Sequence, residues 1–526
     1  MKTRWKILLG FCVVAAVVAL AAIARHYQLK MAVAHYRAEL KAKGEPMDLA
    51  QVIPPPVPPE QNSAAIFLKA SVLIETHPAF FYTNTFSGKQ MVAPGKAMVR
   101  AAQPDISEPG KYGFTNSWDE AFTAVKQNAE ALSLLHKIIE NPKLDFHIPY
   151  ARGFVDGGIF TNMHLIELKK SAHLLSSAAI VDLHRGNTGE AVENVRAMLA
   201  IASAMQDQRL EISELVRIAI ATITQNPTWE ILQSNHVTGK DLAALQKDWE
   251  RLDFVQSYKN ALTMERLIGD VTLTQWRKSD TEFDKYFRMF ASARQSLGVD
   301  DADEPTFYQR MKFSTEIFLW RHWWSYADEL RSLRGGEVLI ETARCAETNN
   351  TFLTLLQRQQ AGLDALGLND SLDKLSNPFL LLAEPDFHSL LSESVITMSG
   401  CFKRVMAIET ARRMTVAAIA LKRYQLKHGN YPPDLNSLVP EFFAAVPLDP
   451  VDGKPLRYKL NSDGTFLLYS VGENGVDDGG NPALEKDVES SSFNWQNPHA
   501  LDWVWPQPAT GAEIQKYYDE RGKKSD

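Results

Sequence analysis

The segment Gly472-Glu473-Asn474-Gly475-Val476-Asp477-Asp478-Gly479-Gly480-Asn481 sets two adjacent carboxylates among four glycines. Short acidic side chains between residues that turn freely can fold several oxygens around one hard cation. Calcium takes about six to eight oxygens at roughly 2.3–2.6 Å, backbone carbonyls among them. A cation would relieve the repulsion between Asp477 and Asp478 and offset the entropy lost in ordering the glycines. The same residues also read as a metal-free acidic loop, and spacing alone leaves both readings open.

Other chemistry is thinly marked. The chain has no G-x-x-x-x-G-K-[ST], no strand-linked G-x-G-x-x-G, no H-E-x-x-H and no G-x-S-x-G. Its 13 histidines are scattered, and His164 and His173 are too far apart to share a helical turn. Asp145 precedes and Asp156 lies within a glycine-bearing loop at 153–158, where capping acids are commoner than catalytic ones. His322-Trp323-Trp324 lies in a helical pattern, and an aromatic helix face is more often core or interface than a cofactor box. Cys12 lies in an apolar run. Cys345 and Cys401 read either as a bridge or as two buried thiols.

The elements that must position these residues follow from length and pattern. A chain of 526 residues makes about three domains. With 45% apolar and 23% charged residues it is not disordered throughout. A net charge of −7 gives no footprint for a nucleic-acid partner. Three cysteines exclude a disulfide-rich scaffold and a cysteine-based metal cluster.

Lys2, Arg4 and Lys6 precede an uncharged, mostly apolar run at 7–24. As a helix it spans ~27 Å, close to a bilayer core. Ala19-Leu20-Ala21 and Ala22-Ile23-Ala24 are also acceptable signal-peptide cleavage patterns. Arg25, Lys30 and Arg37 follow, so basic residues flank both sides. The length of the run and the helix-friendly segment after it favour a single-pass anchor in the inner (cytoplasmic) membrane, and the short lead favours the N-terminus inside, with the bulk of the chain outside the cytoplasm. Residues 25–60 read as a charged helix and a proline-rich linker at 54–59.

From 61 to 395 the period is helical. Leu168, Ala172, Leu175 and Ala179 share a face, a turn at 184–189 follows, and Ala191, Val195, Met198 and Ala202 line a second helix. This one αα-hairpin resembles a tetratricopeptide repeat, without a second copy at that period. Further helices are expected at 209–234, stopping near Asn226-Pro227, then at 239–270, 306–334 and 337–361, with a break at Arg334-Gly335-Gly336. Residues 298–305 read as an acidic turn.

A helix at 401–428 ends in Gly429-Asn430. A short helical turn at 435–438 follows, then strands at 456–460 and 466–471 joined by Asn461-Ser462-Asp463-Gly464. Within this stretch Tyr424, Gly429, Tyr431 and Pro432 form one pattern. Asp449, Pro450, Gly453, Pro455 and Tyr458 form a second. Tyr469, Ser470, Gly472, Asn474 and Gly475 form a third, and Asp487-Val488 precedes Trp495. In this order, residues 401–495 resemble the globular half of the major pseudopilin of type II secretion. In that family the membrane segment runs straight into the long helix and a glutamate follows the processing site. Here residues 25–400 intervene, and Gly10-Phe11 leads into Cys12-Val13-Val14-Ala15.

The resemblance thus implies a domain fold rather than assembly into a pseudopilus. It also implies calcium, held by the carbonyls of Val471 and Val476 and by the side chains of Asn474, Asp477, Asp478, Asn481 and Asp487. Asn474 stands where the family's pattern has an aspartate, which removes one charge.

The expected molecule is mainly α. It has a transmembrane anchor at 1–24, a helical region of α-hairpins at 61–395, a small pseudopilin-like α+β domain at 396–510 and a polar tail at 511–526. A fragment from 395 to 510 is expected to fold alone. The expected role is structural or protein-interacting, at the outer face of a membrane, with a protein partner. A membrane-tethered enzyme with its site in the helical region is the rival, and a divergent secretion-system subunit is a third reading. A deep pocket of convergent polar groups with shifted pKa values favours the enzyme, and a shallow helical surface favours binding.

Overall fold

The computed structural model describes residues 2–75, 90–104, 117–154, 159, 163–279, 281–282, 285, 315, 317–348, 351–368, 392–485, 496–497 and 499–522. The expected acidic turn at 298–305 lies outside them. The chain starts as one helix, α1 (Lys2–Ala42). No glycine or proline interrupts 11–43, so the apolar run and the charged segment merge, and Gly44 at φ +86° ends the helix. Its apolar stretch is long enough to cross a membrane, and none of it is buried in the body.

The helical region comprises α2 (Ala64–Leu73), α3 (Trp118–Gln127), α4 (Ala129–His136), α5 (Leu165–His184), α6 (Thr188–Ala204), α7 (Glu211–Gln233), α8 (Gly239–Glu250), α9 (Phe254–Lys278), α10 (Ser325–Thr348), α11 (Phe352–Asp364) and α12 (Ser392–Ser399). The α5–α6 hairpin forms as the spacing predicts, with Leu168, Ala172, Leu175, Ala179, Val195 and Met198 buried. Asp253 separates α8 from α9 by accepting the Gln256 N–H.

Two expected breaks are absent. Helix α7 runs through Pro227, although an interior proline removes one backbone bond and costs about 3 kcal/mol. The residues beyond it hold the helix on. Trp229 and Ile231 are fully buried, and the Trp229 indole N–H donates to the Pro506 carbonyl at 2.9 Å. Helix α10 runs through Gly335-Gly336. A Cβ on Gly335 would lie 2.7 Å from Leu368 and 2.8 Å from Val395, so this glycine permits close approach and makes no turn.

Three helices set the long axis. His26 of α1 meets Tyr326 of α10 edge-on at 5.0 Å, Arg334 lies over the Tyr36 ring at 5.6 Å, and Arg344 pairs with Glu45. The two helices therefore run parallel in steady register. Helix α9 runs antiparallel to α10 through Lys259–Glu347, Arg266–Glu337 and Arg277–Ser325.

At the other end of α10 sits the small sheet. Helix α13 (Cys401–His428) ends at Gly429, φ +83°, as expected. The strands of the larger sheet are β3 (Arg457–Leu460), β4 (Phe466–Ser470) and β5 (Trp503–Val504), in antiparallel order β3-β4-β5, with Arg457 opposite Tyr469 and Leu460 opposite Phe466. The Phe352 N–H donates to the Pro450 carbonyl and ties this sheet to the α10–α11 corner. A second sheet joins β1 (Met91–Ala93), β2 (Lys96–Ala97) and β6 (Gln507–Pro508). The expected polar tail is helical through residue 522 as α14 (Gly511–Gly522), and it packs on β1.

The boundary expected at 395/396 is not a gap in packing. Helix α13 is sandwiched against α7, α8 and α9, and one core contains Ala172, Trp249, Ile340, Met414, Leu468 and Trp503. The fragment 395–510 would expose that buried helix face, so the expectation that it folds alone gives way to a shared core.

Neighbouring glycines supply a test of the packing. Gly335→Ala is expected to lower the melting temperature of the full chain in detergent, at a cost of about 1–3 kcal/mol from overpacking. At Gly336 the nearest atom to a new Cβ is 3.9 Å away, so Gly336→Ala is expected to raise stability by up to about 1 kcal/mol through helix propensity. Equal shifts in the two variants would contradict this account.

Candidate functional site

The foot of the stalk is held by two ion clusters. In the first, Arg37 of α1 pairs with Asp270 of α9 and Glu329 of α10, and Arg277 pairs with Glu329 from the other side. Glu329 is 1% exposed. Burial pushes the Asp270 carboxyl up, against the pull of Arg37. In the second, Glu45, just past the helix end, pairs with Arg266 and Arg344, while Arg266 also holds Glu337. Breaking one partner out of a buried pair typically costs about 3–5 kcal/mol.

Above the second cluster lies a cavity of about 850 Å³ between α1, α10 and α11, lined by Tyr36, Glu45, Arg334, Glu337, Arg344 and Arg358 among others. Its carboxylates are largely consumed by Arg266 and Arg344. Arg334 and Arg358 are exposed at the rim, and neither has a carboxylate within ion-pair distance among the described residues. The wall therefore offers the Arg358 guanidinium and, over the half-buried Tyr36 ring, that of Arg334 to a group of opposite charge.

The glycine–aspartate loop is built differently. Asp502, fully buried, accepts the N–H groups of Gly480 and Asn481 at 2.9 Å each and faces that of Asp478 at 3.4 Å. Arg457 of β3 pairs with Asp449 and Asp452 and reaches Asp477 at 3.4 Å. Asp449, also fully buried, accepts from Val451, Ser470 and Val471.

Of the residues expected to hold calcium, Asp477 accepts from the Tyr469 hydroxyl and the Gly479 N–H. Asn474 accepts from the Val476 N–H and Asn481 from the Ala483 N–H. Val471 is buried, Val476 and Asp478 are exposed, and Asp487 lies outside the described residues. Among the described residues no group of three or more His, Cys, Asp or Glu side chains is arranged to hold a metal ion. The ordering of the glycines, for which a cation was one solution, is supplied here by Asp502 and Arg457.

No family model, curated protein or solved structure matches this chain. The pseudopilin resemblance thus rests on motif order and on the helix–hairpin succession of α13, β3 and β4.

The remaining candidates are structural in setting. Asp145 accepts the His147 N–H of its own loop and the Val57 N–H of the proline-rich segment, and Asp156 lies outside the described residues. His173 is half-buried, and burial holds its imidazole down at about 4, so it is neutral. His164 packs its ring on Phe146 at 4.8 Å. The two cysteines do not bridge. Cys345 donates to Glu341, and Cys401 donates to Glu211 at 2.6 Å. Burial and Glu211 push the Cys401 thiol well up, so it stays protonated.

Residues that no motif flagged form the ion clusters: Arg266, Asp270, Arg277, Glu329 and Glu337. Their one sequence signal is charge on the apolar face of a helical pattern.

Beside Cys401, burial pushes Glu211 up to about 7 and Glu265 up to about 8, the latter also by repulsion from Glu211. Both sit above the unfolded carboxylate value of about 4.3. Their stabilising contribution is therefore complete below that value and is lost as pH rises through 7–8. The melting temperature is expected to fall between about pH 4.5 and pH 8 and to level off above, and Glu265→Gln is expected to flatten that fall. An equally steep fall in the variant would contradict the assignment.

Proposed function

We propose that this protein is a membrane-anchored, exported protein with a structural or protein-interaction role. In this reading α1 crosses the inner membrane with its N-terminus inside, and the body stands outside the cytoplasm. The observation that carries it is the join between α1 and the body. The helix that crosses the bilayer continues unbroken into the folded region and is clamped there by two ion clusters. A flexible tether would only localise the body, whereas a clamped stalk presents it in a fixed orientation. The groove with Arg334 and Arg358 at its rim is the surface offered to the partner. The small α+β unit, read as a pseudopilin-like module, sits at the end away from the membrane.

A photo-crosslinking side chain in place of Arg358 tests this reading. In native membranes it is expected to give one discrete adduct, open to protease added from the extracytoplasmic side. The same probe at Ile166, which is 68% exposed on α5, is expected to give none. Absence of an adduct at 358, or protection from external protease, would contradict the reading.

We also propose calcium as an added brace on the terminal loop, in exchange with Arg457 at Asp477. An ion that binds only the folded state stabilises by about 2.7 kcal/mol at a hundredfold excess over Kd. Millimolar calcium is expected to raise the melting temperature and a chelator to lower it, with both responses lost in the Asp477→Ala, Asp478→Ala double variant. Identical melting of both proteins with and without calcium would leave Arg457 and Asp502 as the loop's whole support.

A further inference from the structure

The register of α1 against α10 says where the body meets the bilayer. Tyr326 is level with His26, two residues beyond the apolar run, which is ~3 Å along the axis. Helix α10 is extended backwards from Ser325 by a π-helical turn (Trp320–Trp324) and by residues 317–319. Because the helices are parallel, these residues point back along α1 toward its apolar part. Trp323 falls ~5 Å and Phe318 ~12 Å nearer the membrane than Tyr326. They are level with residues 23 and 18 of α1, inside the apolar run.

The side chains suit that place. Phe318 is 58% and Trp323 47% exposed, unusual for large aromatics in a water-facing helix. Trp320 is fully buried, packed edge-on against Trp276 at 6.2 Å, and Arg321 donates to the Trp276 carbonyl. These contacts fix the turn from within and hold the Arg321 charge on the protein. At the level of Tyr326, where headgroup phosphates would lie, Arg25 of α1 and Lys278 at the end of α9 are exposed. Aromatic rings at the interface with basic residues just outside it are the pattern of a membrane boundary.

We propose that the 318–324 turn is a second membrane contact, with Phe318 and Trp323 inserted into the leaflet from which α1 emerges. It rests on the reading that α1 spans the bilayer. Two attachments, one spanning and one interfacial, would stop the body from swinging about its stalk.

The test places an environment-sensitive fluorescent amino acid singly at Phe318, Trp323, Val14 or Val476 of the full chain. Each variant is reconstituted in phosphatidylcholine–phosphatidylglycerol vesicles carrying a nitroxide on the upper acyl chain. Val14 reports the span, and Val476, on the loop at the opposite end, reports water. Loss of emission at 318 and 323, with none at 476, is the expected result. Quenching at 14 but not at 318 or 323 would overturn the interfacial contact and leave the anchor standing. Quenching at 318 and 323 but not at 14 would overturn the anchor and keep the contact. Quenching at none of the three would overturn both.

Discussion

The Glu329 carboxylate, buried between Arg37 and Arg277, is the constraint on which the architecture turns. A charge so enclosed is tolerable only when its partners are present, because desolvation alone costs several kcal/mol. One of those partners arrives on α1 and the other on α9. Without α1 the buried Glu329 would keep only Arg277, so α1 belongs to the fold and is not an appendage. Asp270 and Arg37 close the cluster on the same side. Glu45, Arg266, Glu337 and Arg344 repeat the arrangement where the chain leaves α1. One such point on the helix and one just past its end fix its rotation and its height.

Everything distal inherits that height. Helix α10 carries the register away from the apolar run of α1, and the bond from Phe352 to Pro450 passes it to the terminal sheet. There the chain meets a different problem, a loop with four glycines and adjacent aspartates. It is met by a buried acceptor, Asp502, beneath the loop's amides and by a cation, Arg457, beside its acids. The return of β6 to β2 then joins the end of the chain to residues 96–97, so that the sheet and the helical region share one core.

Local features were legible in the sequence, and contacts between distant segments were not. The α5–α6 hairpin, the glycine cap at 429 and the β3–β4 hairpin could all be read, because each is dictated by periodicity or by a residue that alone tolerates its φ. Pro227 and Gly335-Gly336 misled, since tertiary packing overrode the breaking tendency of each. At Gly335 the missing side chain serves Leu368 and Val395, which no local pattern reveals. The contact of Asp477 with Arg457, twenty residues back, has no local signal in the sequence. Arg37 stood in plain view as a basic residue following the apolar run, while its partners Asp270 and Glu329 lie more than 200 residues away.

Amide hydrogen exchange over residues 26–42, in the full chain and in Arg37→Met, tests the clamped stalk most directly. The account predicts that these amides are protected in the wild type as strongly as those of α10. It also predicts that Arg37→Met strips protection from the stalk and from the neighbouring turns of α10 together. Fast exchange over 26–42 in the wild type, or exchange indifferent to the loss of Arg37, would contradict it.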